Sequence, residues 1–258
     1  MKRELQGRNG EVIIMVSNTD SIENYSTNIQ KAIKALQRGE MILLFDLEGR
    51  EAETDFTIAA NAVTPEYVRW MRKDAGGLIC VALDSEASEE LGLPFMADIV
   101  REANQCSTAL HKIVEKGGDL KYDSRSSFSI WVNHRDTRTG IPDNDRALTI
   151  NKLGEIVEKT LNGEEIHFGS EFRTPGHVAT LRAAKGLVHE RMGQTELSIA
   201  LAKIAGITPA MVVCEMLDDE TGRALEKGDA KQYGKDNDLV FVEGEEVVEA
   251  YDIWLKSQ

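Results

Sequence analysis

The sequence predicts an α/β fold of the α+β sandwich type. Three observations carry that expectation: short apolar runs of strand length, segments of helical period lying between them, and no internal repeat or low-complexity tract. At 258 residues one core suffices, so residues 29–258 read as a single domain. Residues 1–28 are polar apart from Val12-Ile13-Ile14-Met15-Val16, and read as a leader or an added edge segment.

Ile29, Ala32, Ile33 and Leu36 recur at helical spacing, and Gly39 ends that pattern in the C′ position. Met41 to Phe45 is continuously apolar, as suits a strand covered on both faces, and stops at Asp46. Phe56 to Ala60 reads as the next strand. Thr64 then caps a helix through Arg72, with Pro65 at its first position, where a missing N–H costs nothing. Leu78 to Ala82 and Ser127 to Val132 read as strands, and a helix is expected from about Asp143. The last third holds a helix from Thr195 to Ala205, strands at Met211 to Met216 and Leu239 to Val242, and a helix after Gly244. A Rossmann nucleotide site is disfavoured, because there is no G-x-G-x-x-G and no strict βαβ repeat.

Forty-four acids against thirty Lys and Arg give a net charge of -14, which opposes non-specific binding to nucleic acid or an anionic membrane. No stretch approaches the roughly 20 apolar residues of a membrane span. Cys80, Cys106 and Cys214 are widely spaced and odd in number, as expected of reduced thiols in a cytoplasmic protein.

The densest chemical signal lies between Asp46 and Asp55, where Asp46, Glu48, Glu51, Glu53 and Asp55 surround Arg50. In an extended or turned segment Glu51, Glu53 and Asp55 project the same way, and such carboxylates repel unless a cation or shared protons relieve them. A solvated loop and a hard-metal site both fit that pattern. In the second cluster Arg191-Met192-Gly193-Gln194-Thr195-Glu196 opens a helix. Free amides there, with the Arg191 fork and the Thr195 hydroxyl, suit a phosphate, and an ordinary capped helix beside a surface Arg fits too. His177 follows Pro175-Gly176, read as a turn that exposes an imidazole to a cleft. Glu215 sits in an apolar run, where an unpaired carboxylate is costly, so it either ends the strand in solvent or has a function. His111, His134, His167 and His189 read as surface histidines.

Taken in order, several segments resemble the 3,4-dihydroxy-2-butanone 4-phosphate synthase family, most closely its archaeal single-domain form. They are Arg50-Glu51-x-Glu53-Thr54-Asp55, Met71-Arg72-Lys73-Asp74-Ala75-Gly76-Gly77-Leu78-Ile79-Cys80, Ser126-Ser127-Phe128-Ser129-Ile130, Thr139-Gly140-Ile141 with Asn144-Asp145-Arg146-Ala147, Gly176-His177-Val178 with Leu181-Arg182-Ala183, and Cys214-Glu215-Met216. The resemblance implies conversion of D-ribulose 5-phosphate to L-3,4-dihydroxy-2-butanone 4-phosphate and formate in riboflavin biosynthesis. It also implies a homodimer with sites near the subunit interface, and Mg²⁺ as cofactor with Mn²⁺ as a second candidate. By motif position it makes His177, Glu215 and Asp46 catalytic. Arg50, Glu51, Glu53, Asp55, Arg182, Arg191, Met192, Gly193, Gln194, Thr195 and Glu215 become substrate-binding, and Glu51 and Gln194 metal-ligating. Cys80 resembles a pocket-lining position. The family's pattern has Gly where this chain has Ala52, and its second metal ligand, a His, where this chain has Gln194. That replacement leaves a second reading, an impaired or non-catalytic sugar-phosphate-binding homologue.

Overall fold

The computed structural model describes residues 3–6, 12–15, 22–103 and 109–258, with Cys106 and the side chain of His111 outside what is described. Arg3–Gln6 (β1) pairs antiparallel with Val12–Met15 (β2) in a ladder of its own, separate from the main sheet.

The main sheet holds Ile42–Phe45 (β3), Thr54–Ala59 (β4), Cys80–Leu83 (β5), Phe128–His134 (β6), Phe172–Arg182 (β7), Ala210–Glu215 (β8) and Phe241–Glu243 (β9). Their spatial order is β6-β7-β5-β8-β4-β3-β9. The β7–β5 and β3–β9 pairs are parallel and the others antiparallel, which gives the mixed sheet expected of strands and helices that alternate without a strict repeat.

Side chains alternate between the faces of this sheet, and both faces are apolar. Phe56, Ile58, Val81, Val212 and Cys214 pack on one side with Val68 and Met71 of Pro65–Trp70 (α2) and its π-helical extension Met71–Ala75, and with Ile150, Leu153 and Val157 of Asp143–Leu161 (α3). Ile42, Leu44, Ala82 and Met211 pack on the other, under Thr27–Gln37 (α1), Gln194–Ala205 (α4) and Gly244–Leu255 (α6). Between β8 and β9 lies Lys227–Asp236 (α5). The result is a helix–sheet–helix sandwich. Phe56 is wholly buried, and truncating such a ring to Ala costs about 3–5 kcal/mol.

Local chemistry sets the boundaries. Thr64 accepts the Tyr67 N–H ahead of Pro65, as the sequence expects. Strand β7 was not legible. The Thr174-Pro175-Gly176-His177 segment read as a turn lies inside it, where the β6–β7 register shifts between Val132 and Asn133 and a residue lacking an N–H is tolerated. His134, expected at the surface, is buried edge-on against Phe172, with centroids 5.4 Å apart. His167 and His189 are exposed.

On the second face the helices cover only part of the sheet. Cys80, Ala179, Leu181 and Val213 form a separate apolar floor beside Phe128 and Trp131, and a cavity opens over that floor.

Candidate active site

The cavity has a volume of about 220 Å³ and is lined by Glu51, Glu53, Asp55, Cys80, Tyr122, Ser126, Ser127, Phe128, Leu181, Arg191, Gln194, Thr195 and Glu215, among others. Three acids of the first cluster, the phosphate-type turn and Glu215 thus come together from β4 and the loop ahead of it, β8 and the start of α4. Alternation explains the strand contribution. Asp55 and Glu215 are partners in the β4–β8 ladder, so both project to the face that carries Val213 and Cys80.

The electrostatics are those of carboxylates crowded away from water. Burial, then the facing charge of Glu215, holds Asp55 well above the usual carboxylate range. Burial and the neighbouring Glu51 push Glu53 up to about 7. Glu215 is also raised by burial, against an opposing hydrogen bond in which the Leu78 N–H donates to its Oε2 at 2.8 Å. Gly77 permits that close approach, since a Cβ there would lie 2.5 Å from the same oxygen.

Gln194 is oriented unambiguously. Its Nε2 donates to the main-chain oxygens of Leu44 at 2.9 Å and Glu53 at 3.2 Å, and flipping the amide would set oxygen against oxygen. Its Oε1 is left buried with no hydrogen-bond partner, as is Asp55 Oδ1. Two orphaned oxygens in one acid-lined cavity call for a proton donor or a cation. Among the described residues no three His, Cys, Asp or Glu side chains converge as a preformed cage.

Other expected residues stand around this centre. Asp46 is 1 % exposed and does not line the cavity; its carboxylate accepts the Glu51 and Glu53 N–H groups at 3.2 and 3.0 Å and so shapes the acidic loop. Burial raises its pKa, opposed by those two bonds. Arg50 pairs with Glu51 at 2.9 Å and with Asp123. Arg191 donates to the same Asp123 oxygen at 2.6 Å and pairs with Glu196. Asp123, a residue the sequence gave no reason to single out, therefore ties the two clusters together. Gly193 is the N-cap of α4, and Met192 is 43 % exposed, outside the cavity lining. Arg182 lines an adjoining cavity of about 140 Å³ with Phe95, Arg125 and Lys185, which shares Ser127 and Arg191 with the first. His177 is exposed and also outside the cavity lining, held by the buried Asn133.

A mixed sheet whose open end carries a carboxylate-lined cavity beside a helix N-terminus defines the class as an α/β enzyme with a small-molecule site. The family model described as 3,4-dihydroxy-2-butanone 4-phosphate synthase matches residues 30–250. A synthase of that name from Methanosarcina acetivorans is 68% identical over 231 residues, covering 90% of this chain and 94% of the relative. One from Archaeoglobus fulgidus is 52% identical over 224 residues, covering 87% and 94%. Among solved structures, the Candida albicans synthase superposes with a TM-score of 0.67 at 30% identity, covering 88% of this chain and 98% of that one. A synthase described as a complex with two magnesium ions gives 0.64 at 27%, covering 86% and 94%. The chain belongs to the 3,4-dihydroxy-2-butanone 4-phosphate synthase family.

Proposed function

We propose that this cavity converts D-ribulose 5-phosphate to L-3,4-dihydroxy-2-butanone 4-phosphate and formate, the synthase step of riboflavin biosynthesis. The observation that carries the reading is the meeting, in one cavity, of the acidic cluster, the anion-suited start of α4 and the strand carboxylate Glu215. Family membership supports the synthase over the impaired homologue, which nothing in the comparisons favours.

The first-turn amides of α4, free of intrahelical acceptors, suit the substrate phosphate together with the Thr195 hydroxyl and the Arg191 guanidinium. Glu51 and Gln194 Oε1 would hold Mg²⁺, or Mn²⁺. When bound, such a cation polarises the carbonyl and hydroxyl oxygens of the sugar and steadies enediolate charge. The reaction enolises the substrate, removes water, rearranges the carbon skeleton and takes water back as it releases formate, so protons must move both ways near neutral pH. A carboxyl with a pKa of about 7, as at Glu53, and the raised Glu215 suit that work. Arg50, poised between Glu51 and Asp123, orients the acidic loop toward the sugar.

The same reading includes a homodimer. An apolar groove lined by Met96, Val100, Ile113, Phe128 and Trp131 adjoins the cavity, sharing Ser126 and Phe128 with it, and Ile113 is 75% exposed. The exposure of His177 suits a cavity completed by a second copy. Purified protein supplied with ribulose 5-phosphate and Mg²⁺ is expected to release formate and the butanone phosphate in equal amounts; binding without either product would overturn the reading.

A further inference from the structure

Asn133 is wholly buried at the edge of the β6–β7 register shift, and every polar atom of its side chain is committed. Its Oδ1 accepts the His177 main-chain N–H at 2.8 Å, while its Nδ2 faces the Thr139 carbonyl oxygen at 3.2 Å and His177 Nδ1 at 3.1 Å. The first two contacts fix which end of the amide is oxygen, because a flipped amide would set N–H against N–H and oxygen against oxygen. An amide nitrogen carries two hydrogens and no acceptor, so at 3.1 Å it meets the lone pair of Nδ1 rather than an N–H. The proton of the neutral ring is then on Nε2.

The seat for Asn133 is built on purpose by the backbone around it. A Cβ on Gly140 would come within 2.1 Å of Asn133 Nδ2, and a Cβ on Gly176 within 2.3 Å of the Asn133 main-chain nitrogen. Both glycines belong to the segments singled out in the sequence, and neither has a place in the cavity described above.

We propose that Asn133 is a positioning residue that locks His177 in the Nε2–H tautomer, so that His177 acts as a hydrogen-bond donor to a substrate oxygen. The nitrogen of an imidazole that carries the proton is chosen by the bond the other nitrogen makes, and a neutral ring presenting N–H polarises a carbonyl without taking a proton from carbon. Proton abstraction then falls to the carboxylates of the cavity. This inference rests on the reading proposed above, in which a second copy completes the cavity and brings the exposed His177 to the substrate.

The test uses the intact protein with ¹⁵N-labelled histidine, the His177 signals being identified by their loss in His177→Gln. In the wild type Nδ1 is expected to give a pyridine-type signal and Nε2 a pyrrole-type signal. A wild-type spectrum with the proton on Nδ1 would overturn the proposal without recourse to any variant. Asn133→Asp, whose carboxylate only accepts, is expected to move the proton to Nδ1 and to lower kcat by about 10²-fold with KM little changed, the scale of a lost acid–base or polarising group. Unchanged kcat in Asn133→Asp with the tautomer reversed would overturn the functional half. Full activity in His177→Gln would instead remove the role of His177 itself, leaving the tautomer result to stand on its own.

Discussion

Asp55 and Glu215 face each other across the β4–β8 ladder, two carboxylates in direct register on the open face of the sheet. With Glu53 beside them, the folded state holds protons that the unfolded chain releases. Glu53 is the measurable case, with a pKa of about 7 against an ordinary 4.5. A carboxyl raised on folding contributes stability that is fully present below its unfolded pKa and is lost as pH rises through its folded pKa. In metal-free protein that contribution is therefore expected to disappear between about pH 4.5 and about pH 7 to 8. Thermal midpoints of wild type and Glu53→Gln, compared across that range in EDTA, read it. The wild type should lose ground to the variant as pH rises, and a gain would show that Glu53 is not held protonated.

Ala52 occupies φ +55°, in the left-handed region that disfavours a Cβ. Ala52→Gly is expected to stabilise the fold by about 1 kcal/mol, read from denaturant midpoints at constant m-value. No gain would mean that the loop relaxes without cost.

Asp123 joins Arg50 and Arg191 with its side chain only 5% exposed. Removing Asp123 breaks a buried pair with each guanidinium while Arg50 keeps Glu51 and Arg191 keeps Glu196, so Asp123→Ala is expected to cost about 3 kcal/mol, the low end for a broken buried pair. It should also raise KM for ribulose 5-phosphate, because the link that ties Arg50 to Arg191 is lost. Stability measured by urea unfolding and a Michaelis profile check the two halves separately.

Gln194 offers the cavity a fixed, unpartnered amide oxygen. Gln194→Leu is expected to weaken Mg²⁺ binding by about tenfold or more in calorimetry, on the scale of disturbed metal shells. Gln194→His should shift preference from Mg²⁺ toward Zn²⁺, since imidazole is the softer donor. Equal Mg²⁺ affinity in wild type and Gln194→Leu would exclude Gln194 as a ligand.

Where the fold was legible in the sequence, the signal was local. The Thr64–Pro65 cap, the apolar β3 and β8 runs and the break at Asp46 all follow from neighbours along the chain. Strand β7 was hidden because Pro175-Gly176 carries the composition of a turn, and its pairing with β6 and β5 shows otherwise. The acidic cluster was legible as a unit, since Glu51, Glu53 and Asp55 do line one cavity. Asp123 and Asn133 were not. Asp123 meets Arg50 and Arg191 at 73 and 68 residues' separation, and Asn133 meets His177 at 44, distances over which no periodicity or motif speaks.

The central claim is that the acid-lined cavity at the open end of the sheet is a metal-assisted site. Anomalous diffraction from crystals soaked in Mn²⁺ and ribulose 5-phosphate tests it most directly. The expected peak lies about 2.2 Å from both a Glu51 carboxylate oxygen and Gln194 Oε1, with the sugar oxygens completing the shell. A peak elsewhere, with substrate ordered in the cavity and no metal beside it, would contradict the account.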